Sequence, residues 1–223
     1  MSHRRNSLVL AIAVASLAAE TPCEAATVRG TLTIAGRGGG AEDPTGAVVW
    51  LEAGSAGAPA PGRAVIDMKD KTFLPAVVAV PVGSTVTFPN GDPILHNVFS
   101  VSDRNEFDLG LYGRGDGRAV SFPAPGVVRV FCNVHPQMEA FVVVTPGPWR
   151  TFVAPDGSFA IEEAPPGRYS VWAWDRRGGL ASQPVEVGSD ASPRVDFRMD
   201  ASRYRRLPHL DKNGRPYAGP DRY

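Results

Sequence analysis

Cysteine is almost missing from this chain of 223 residues, which holds only Cys23 and Cys132, and histidine is scarce, with four. Cys23 lies in MSHRRNSLVLAIAVASLAAETPCEA, a stretch with a basic start (Arg4, Arg5), an apolar run from Leu8 to Ala19 and small residues at its end. That is the layout of a secretory signal peptide, and its apolar run is too short to span a bilayer with ease. Cleavage after Ala25 is expected, and Glu20-Thr21-Pro22 ahead of Cys23 does not match a lipoprotein box. The mature protein is therefore expected to be soluble and periplasmic or secreted, without a membrane span. Losing Cys23 leaves Cys132 alone and excludes an internal disulfide. A lone cysteine in an oxidising compartment calls for burial, a second chain or a metal.

Net charge is also absent, with 23 basic residues against 23 acidic ones, and nothing resembles a nucleic-acid surface. The balance is uneven along the chain. From 201 to 223 six basic residues (Arg203, Arg205, Arg206, Lys212, Arg215, Arg222) face Asp211 and Asp221, so the tail carries +4; the first 25 residues are neutral, and the body carries −4. The tail reads as a solvated, extended or disordered segment, with docking on an acidic surface, a partner's or the protein's own, as the alternative. No serine stands in a nucleophile elbow and there is no phosphate loop, so no catalytic residues are assigned and an enzyme is not expected.

Long helix-forming runs are missing as well. With 24 Gly, 21 Pro and 43% hydrophobic residues, the composition favours many short strands around a real core, an all-β protein. TVRGTLTI and AVVWLE read as two strands separated by AGRGGGAEDPTG, and GSAGAPAPG (54–62) reads as a linker. A dense series follows: AVIDMK, AVVAVP, STVTFPN, HNVFSV, AVSFP, VVRVFCN and EAFVVVT, with turns at Pro81-Val82-Gly83, Asn90-Gly91-Asp92-Pro93 and 123–126. This is the pattern of a Greek-key sandwich or small barrel. After Pro146-Gly147-Pro148 come three to five more strands, too few for a full sandwich, which the first pair would complete. The expected organisation is a signal peptide (1–25), the first strands of an outer β-sandwich with a linker (26–62), an inserted Greek-key domain (63–146), the rest of the outer sandwich (147–200) and a basic tail (201–223). The alternative is a first strand pair that extends the inner barrel.

Within FCNVHPQM, Cys132, His135 and Met138 stand at three-residue steps. A thiolate, an imidazole and a thioether together suit soft or borderline metals, copper above all, whereas a structural zinc site normally takes four Cys or His ligands, more than this chain readily supplies. His96, in PILHNVFS, is 36 residues ahead of Cys132 and can supply a further ligand if a Greek key returns its strand alongside. Two imidazoles, one thiolate and a weak axial thioether make the blue-copper electron-transfer set. Each residue alone has a plainer reading: a buried strand-end cysteine, a satisfied loop histidine, a core methionine.

VIDMKDKTFLPAVVAVPVGSTVTFPNGDPILHNVFS resembles the first half of a plastocyanin-type cupredoxin, and VVRVFCNVHPQMEAFVVV its final hairpin, with the short ligand loop seen in amicyanin. The resemblance covers about 63–145. It implies one type 1 copper ion held by His96, Cys132, His135 and Met138, with His135 exposing a ring edge as the electron exit. It also implies that Asn97 ties the two ligand loops together through the backbone or side chain of Asn133, and that the partners are periplasmic electron donors and acceptors. The stretch 107–122 is the departure, since its loop does not align with that family; it is expected to be a solvated loop, with a docking surface shaped by Tyr112 and the basic residues as the alternative. VRGTLTI, GAVVWLE and APDGSFAIEEAPPGRYSVWAW are similar to carboxypeptidase regulatory-like, transthyretin- or immunoglobulin-like sandwiches, which implies a non-catalytic module that packs against or presents the other domain. Trp172 and Trp174 are expected to pack in a core. The competing functions are a copper store or chaperone that uses the same ligands, and a structural module whose metal site is not functional. The histidines are too few for the second copper site of a multicopper oxidase or a nitrite reductase.

Overall fold

Alternation of apolar and polar residues sets the architecture. In the computed structural model, which describes residues 26–53, 59–188 and 192–217, all long elements are β-strands. The stretch read as a signal peptide and residues 54–58 of the linker lie outside the described residues. β1 (Ala26–Ala35) turns Val28, Leu32 and Ile34 inward and its polar residues outward, as a half-buried strand must. β2 (Ala41–Glu42) pairs back on it, and β3 (Val48–Ala53) follows.

Ten strands come next: β4 (Arg63–Val65), β5 (Asp67–Lys69), β6 (Thr72–Leu74), β7 (Val77–Pro81), β8 (Thr85–Asn90), β9 (His96–Ser100), β10 (Phe107–Tyr112), β11 (Gly115–Ser121), β12 (Gly126–Phe131) and β13 (Glu139–Thr145). They form two sheets, β10-β9-β12-β13-β7 and β11-β8-β5-β6, with β4 beside β8. Ile66, Met68, Phe73, Phe88, Phe122, Val130 and Val142 fill the space between the sheets, and Cys132 and Met138 belong to the same core.

The remaining strands are β14 (Arg150–Phe152), β15 (Ser158–Ala164), β16 (Gly167–Asp175), β17 (Gly179–Val187) and β18 (Phe197–Asp200). They do not make sheets of their own. β15 and β18 flank β1, and β14 and β16 flank β3 with β17 outside β16, so the two ends of the chain build one second β-sandwich. Its core contains Leu32, Ile34, Val49, Leu51, Phe159, Ile161, Val171 and Phe197. The fold is all-β throughout, a Greek-key sandwich joined to a second one by both of its ends.

The sandwiches meet through strands that are apolar on both faces. In β13, Ala140, Val142 and Val144 point into the inner core, while Phe141 and Val143 point across to Val48, Trp50 and Trp174. Trp174 is buried with its ring 5.0 Å from that of Phe141. Trp172 stacks on Trp50 at 6.2 Å and donates its indole N–H to Glu52. Both tryptophans thus spend their area on packing, and satisfying the indole removes the cost of burying it.

The segment 107–122 departs from the solvated loop expected there. It forms β10, which pairs with β9 and sets Tyr112 opposite His96, and β11, which pairs with β8 in the other sheet. Gly117 makes this possible: its φ is +82°, and a Cβ there would stand 2.0 Å from the Phe88 carbonyl oxygen. Glycine-rich, charged stretches carry little apolar alternation, so the sequence pattern hides β10 and the start of β11, while the end of β11 falls in the AVSFP strand read from the sequence.

Candidate metal centre

Strand order brings the predicted donors together. β9 begins at His96, and β12, its neighbour, ends one residue before Cys132, with Phe99 opposite Phe131. Between β12 and β13 the chain folds back in a tight loop, in which the Met138 N–H donates to the His135 carbonyl at 3.1 Å and the Cys132 N–H reaches the Met138 carbonyl at 3.4 Å. That fold turns the third residue after Cys132 back toward its sulfur. His96, Cys132, His135 and Met138 are all at most 1% exposed.

Cys132 Sγ lies 3.8 Å from His96 Nδ1 and 3.7 Å from His135 Nδ1, and the two Nδ1 atoms are 3.1 Å apart. Among the described residues this is the one cluster of Cys, His and acidic side chains arranged to hold a metal. The circle through the three atoms has a radius of about 2.1 Å, close to metal–imidazole bonds of about 2.0–2.1 Å and a little inside metal–thiolate bonds of about 2.3 Å. The donor set, one sulfur and two nitrogens in an apolar surround, suits copper. Met138 lies in the same core at the end of the loop.

Asp92 is a residue the sequence reading did not single out. Its carboxylate is 2.8 Å from His96 Nε2, and it also accepts the N–H groups of Asp70 at 2.7 Å and Lys71 at 2.9 Å. Asp70 and Lys71 have φ of +52° and +54°, a left-handed turn between β5 and β6 that these bonds hold. Burial works to raise the Asp92 pKa, but the Lys71 N–H, His96 and the Asp70 N–H outweigh it and keep the carboxyl below its ordinary value. A carboxylate at Nε2 keeps the His96 proton there and leaves the Nδ1 lone pair aimed at Cys132 and His135.

Burial pushes the Cys132 thiol up, and backbone N–H groups of Asn97, Val134 and His135 pull against it. The Val134 N–H lies 3.4 Å from Sγ. Those donors favour the thiolate form that a metal-bound cysteine would take.

The surroundings depart from expectation at His135, and the Asn97–Asn133 tie is not made in its side-chain form. Asn97 and Asn133 do not bond each other through their side chains: Asn97 Nδ2 donates to Asp108 Oδ1 at 2.6 Å, its Oδ1 has no hydrogen-bond partner among the described residues, and Asn133 Oδ1 accepts the Lys212 N–H at 2.8 Å. The reason is β10, which inserts Asp108 beside Asn97. His135 is 1% exposed, so it offers no open ring edge. The C-terminal segment crosses the same loop: Arg206 donates to the Gln137 carbonyl at 2.9 Å and Tyr217 Oη to the Cys132 carbonyl at 2.8 Å. The segment from 203 to 217 has no regular strand or helix, yet its side chains are anchored, contrary to the solvated tail expected. His209 stacks on Phe131 with centroids 4.2 Å apart and is not part of the His–Cys–His cluster.

No protein-family model matches the chain, and no curated protein matches it. Similarity to solved structures is with copper proteins. A purple cupredoxin from Nitrosopumilus maritimus is 26% identical, with 37% of this chain and 99% of that one covered and a TM-score of 0.33. A reduced amicyanin variant is 21% identical, with 44% and 98% covered and a TM-score of 0.35. A copper-containing nitrite reductase from Thermus scotoductus is 27% identical, with 43% of this chain but 25% of that one covered and a TM-score of 0.35, so the chain spans about a quarter of that enzyme's length. The cupredoxin-like character of the inner sandwich rests on its own sheets and on the position of His96, Cys132 and His135 at their common end.

Proposed function

We propose that this protein is a type 1 copper protein of the periplasm or the cell exterior that carries single electrons between protein partners, and that it has no substrate of its own. The observation that carries the reading is the convergence of His96 Nδ1, Cys132 Sγ and His135 Nδ1 within 3.8 Å of one another, all three residues buried. Copper, when bound, supplies a one-electron couple. The chain's own residues do the rest: Asp92 fixes the His96 ring, backbone N–H groups favour the thiolate of Cys132, and the surrounding core excludes water. Such fixed ligands need little movement between oxidation states, which is what fast transfer demands. Met138, in the same core, would supply a further, weak thioether ligand. The second sandwich, similar in its turns to carboxypeptidase regulatory-like modules, is assigned the role of presenting and orienting the copper domain.

A second reading, a copper store or chaperone, draws support from the burial of His135, since a carrier is expected to expose a ligand edge to its partner. Protein-film voltammetry of the copper-loaded chain separates the two. A carrier gives a stable, reversible one-electron wave over many cycles. A store loses its signal as Cu(I) passes to a chelator in solution, and that result would replace the electron-carrier reading.

A further inference from the structure

We propose that the C-terminal segment from Arg206 to Tyr217 is a working part of the metal centre, in which Lys212 and Tyr217 act as positioning residues that tie the two ligand loops together and close the His135 side. This inference rests on the reading of the His–Cys–His cluster as a metal site.

The polar path is continuous. Asn97 follows ligand His96 and donates to Asp108 Oδ1; Asp108 Oδ2 pairs with Lys212 Nζ at 2.5 Å; and the Lys212 backbone N–H donates to Asn133 Oδ1, next to Cys132. The side-chain bond between Asn97 and Asn133 that would join the loops directly is missing, and Lys212 stands in its place. Tyr217 then holds the carbonyl of Cys132 itself, and Arg206 holds that of Gln137, so the segment grips the ligand loop on both sides of His135.

Local chemistry aims Lys212 at this position. The Asp211 carboxylate accepts the N–H groups of Asn213 and Arg215, and the chain closes on itself from the Asp211 N–H to the Arg215 carbonyl at 2.8 Å, with Gly214 at φ +75°. This is a self-contained turn with Lys212 near its tip. Apolar contact adds to the grip: Phe99 and Phe131 face away from the inner core, and His209 covers them, with its own ring edge-on to Tyr217 at 5.2 Å. A merely solvated basic tail would show none of these contacts. Charge complementarity agrees, since the tail carries +4 and the body of the chain −4.

The test uses the full chain in a Cys23→Ser background, so that Cys132 is the one thiol. Reaction of the metal-free protein with a small aromatic disulfide measures access to Cys132, and extraction of bound copper by excess chelator measures access to the loaded site. Both rates should rise about tenfold or more in Lys212→Met/Tyr217→Phe, in line with loss of a group that orients a metal ligand. Lys212→Arg should restore the slow rates, and Tyr217→Phe alone, which deletes a single bond, should give a smaller rise without unfolding the chain. Added salt should speed both reactions in the parent and leave the Lys212→Met chain unaffected, because the exposed Lys212–Asp108 pair is screened. Normal copper binding with unchanged rates in the double variant would overturn the inference and leave the copper reading intact. Failure of every chain to bind copper, with a faster thiol reaction in the double variant, would sink the copper reading while the closure of Cys132 stood.

Discussion

Asp92 concentrates three duties in one carboxylate: it holds the Asp70–Lys71 turn, accepts from His96 and sets that ring's tautomer. Replacing it by Asn removes the charge that orients the ring while keeping the shape. Asp92→Asn should therefore weaken copper binding about 10–100-fold, as loss of a partner behind a metal-bound histidine does, measured by competition with a chelator of known affinity. Unchanged affinity would mean that packing alone orients His96. Met138→Leu should leave most of the affinity and raise the reduction potential, because a thioether donor is exchanged for an apolar side chain that favours Cu(I). A potential lower than the parent's would remove Met138 from the ligand set. At this scale the sequence was most legible where residue types are rare. One cysteine with histidine and methionine at fixed steps stands out against the composition; Asp92 and Asp108, two acids among many, do not, because only folding reveals which donor each one meets. The burial of His135 was illegible for the same reason: exposure is set by the folded surroundings and leaves no trace in the spacing of the ligand loop.

At the scale of elements, β13 is the strand on which the architecture turns, since it serves the inner core with one face and the second sandwich with the other. Trp174→Ala, opposite Phe141, deletes a buried aromatic at that junction and should cost about 3–5 kcal/mol, read by chemical denaturation. If the two sandwiches then melt in separate steps, the junction is what couples them; a loss well under 1 kcal/mol would mean that it does not. The tail has its own signature in pH. Burial acts to raise the Asp108 pKa, but Lys212, the Gly110 N–H and Asn97 together hold it below the ordinary carboxylate value. A depressed carboxylate stabilises the folded arrangement above its ordinary pKa, near 3.8, and that contribution disappears as pH falls through the lower folded-state value. The Lys212 amide should thus stay protected from neutral pH down to about 4 and lose protection below it, followed by NMR; release between neutral pH and 5 would contradict the assignment. Strands with clean alternation, such as β1 and β8, could be read directly from sequence, as could the turns between them. β10 and the first half of β11 could not, because their glycines and charges mask the period, and the tail could not, because its contacts run through a stacked ring and backbone carbonyls that leave no periodic trace.

For the molecule as a whole, the two ends of the chain pair with each other in both sheets of the second sandwich, and the inner Greek-key sandwich is carried between them. That organisation was legible from a count: three to five strands after Pro146-Gly147-Pro148 are too few to close a sandwich, and two at the front are too few to stand alone. The shared core of Trp50, Phe141 and Trp174 was only half visible, as tryptophans on the face of β16 that alternation would have made polar. Everything about function depends on whether the pocket under these sheets takes copper through Cys132. The most direct measurement is the visible spectrum of the purified chain after one equivalent of Cu(II), with ascorbate added afterwards, beside Cys132→Ser. The account predicts an intense thiolate-to-copper band that bleaches on reduction, returns on oxidation and is missing from the variant. A colourless protein, or a band that survives in Cys132→Ser, would contradict it.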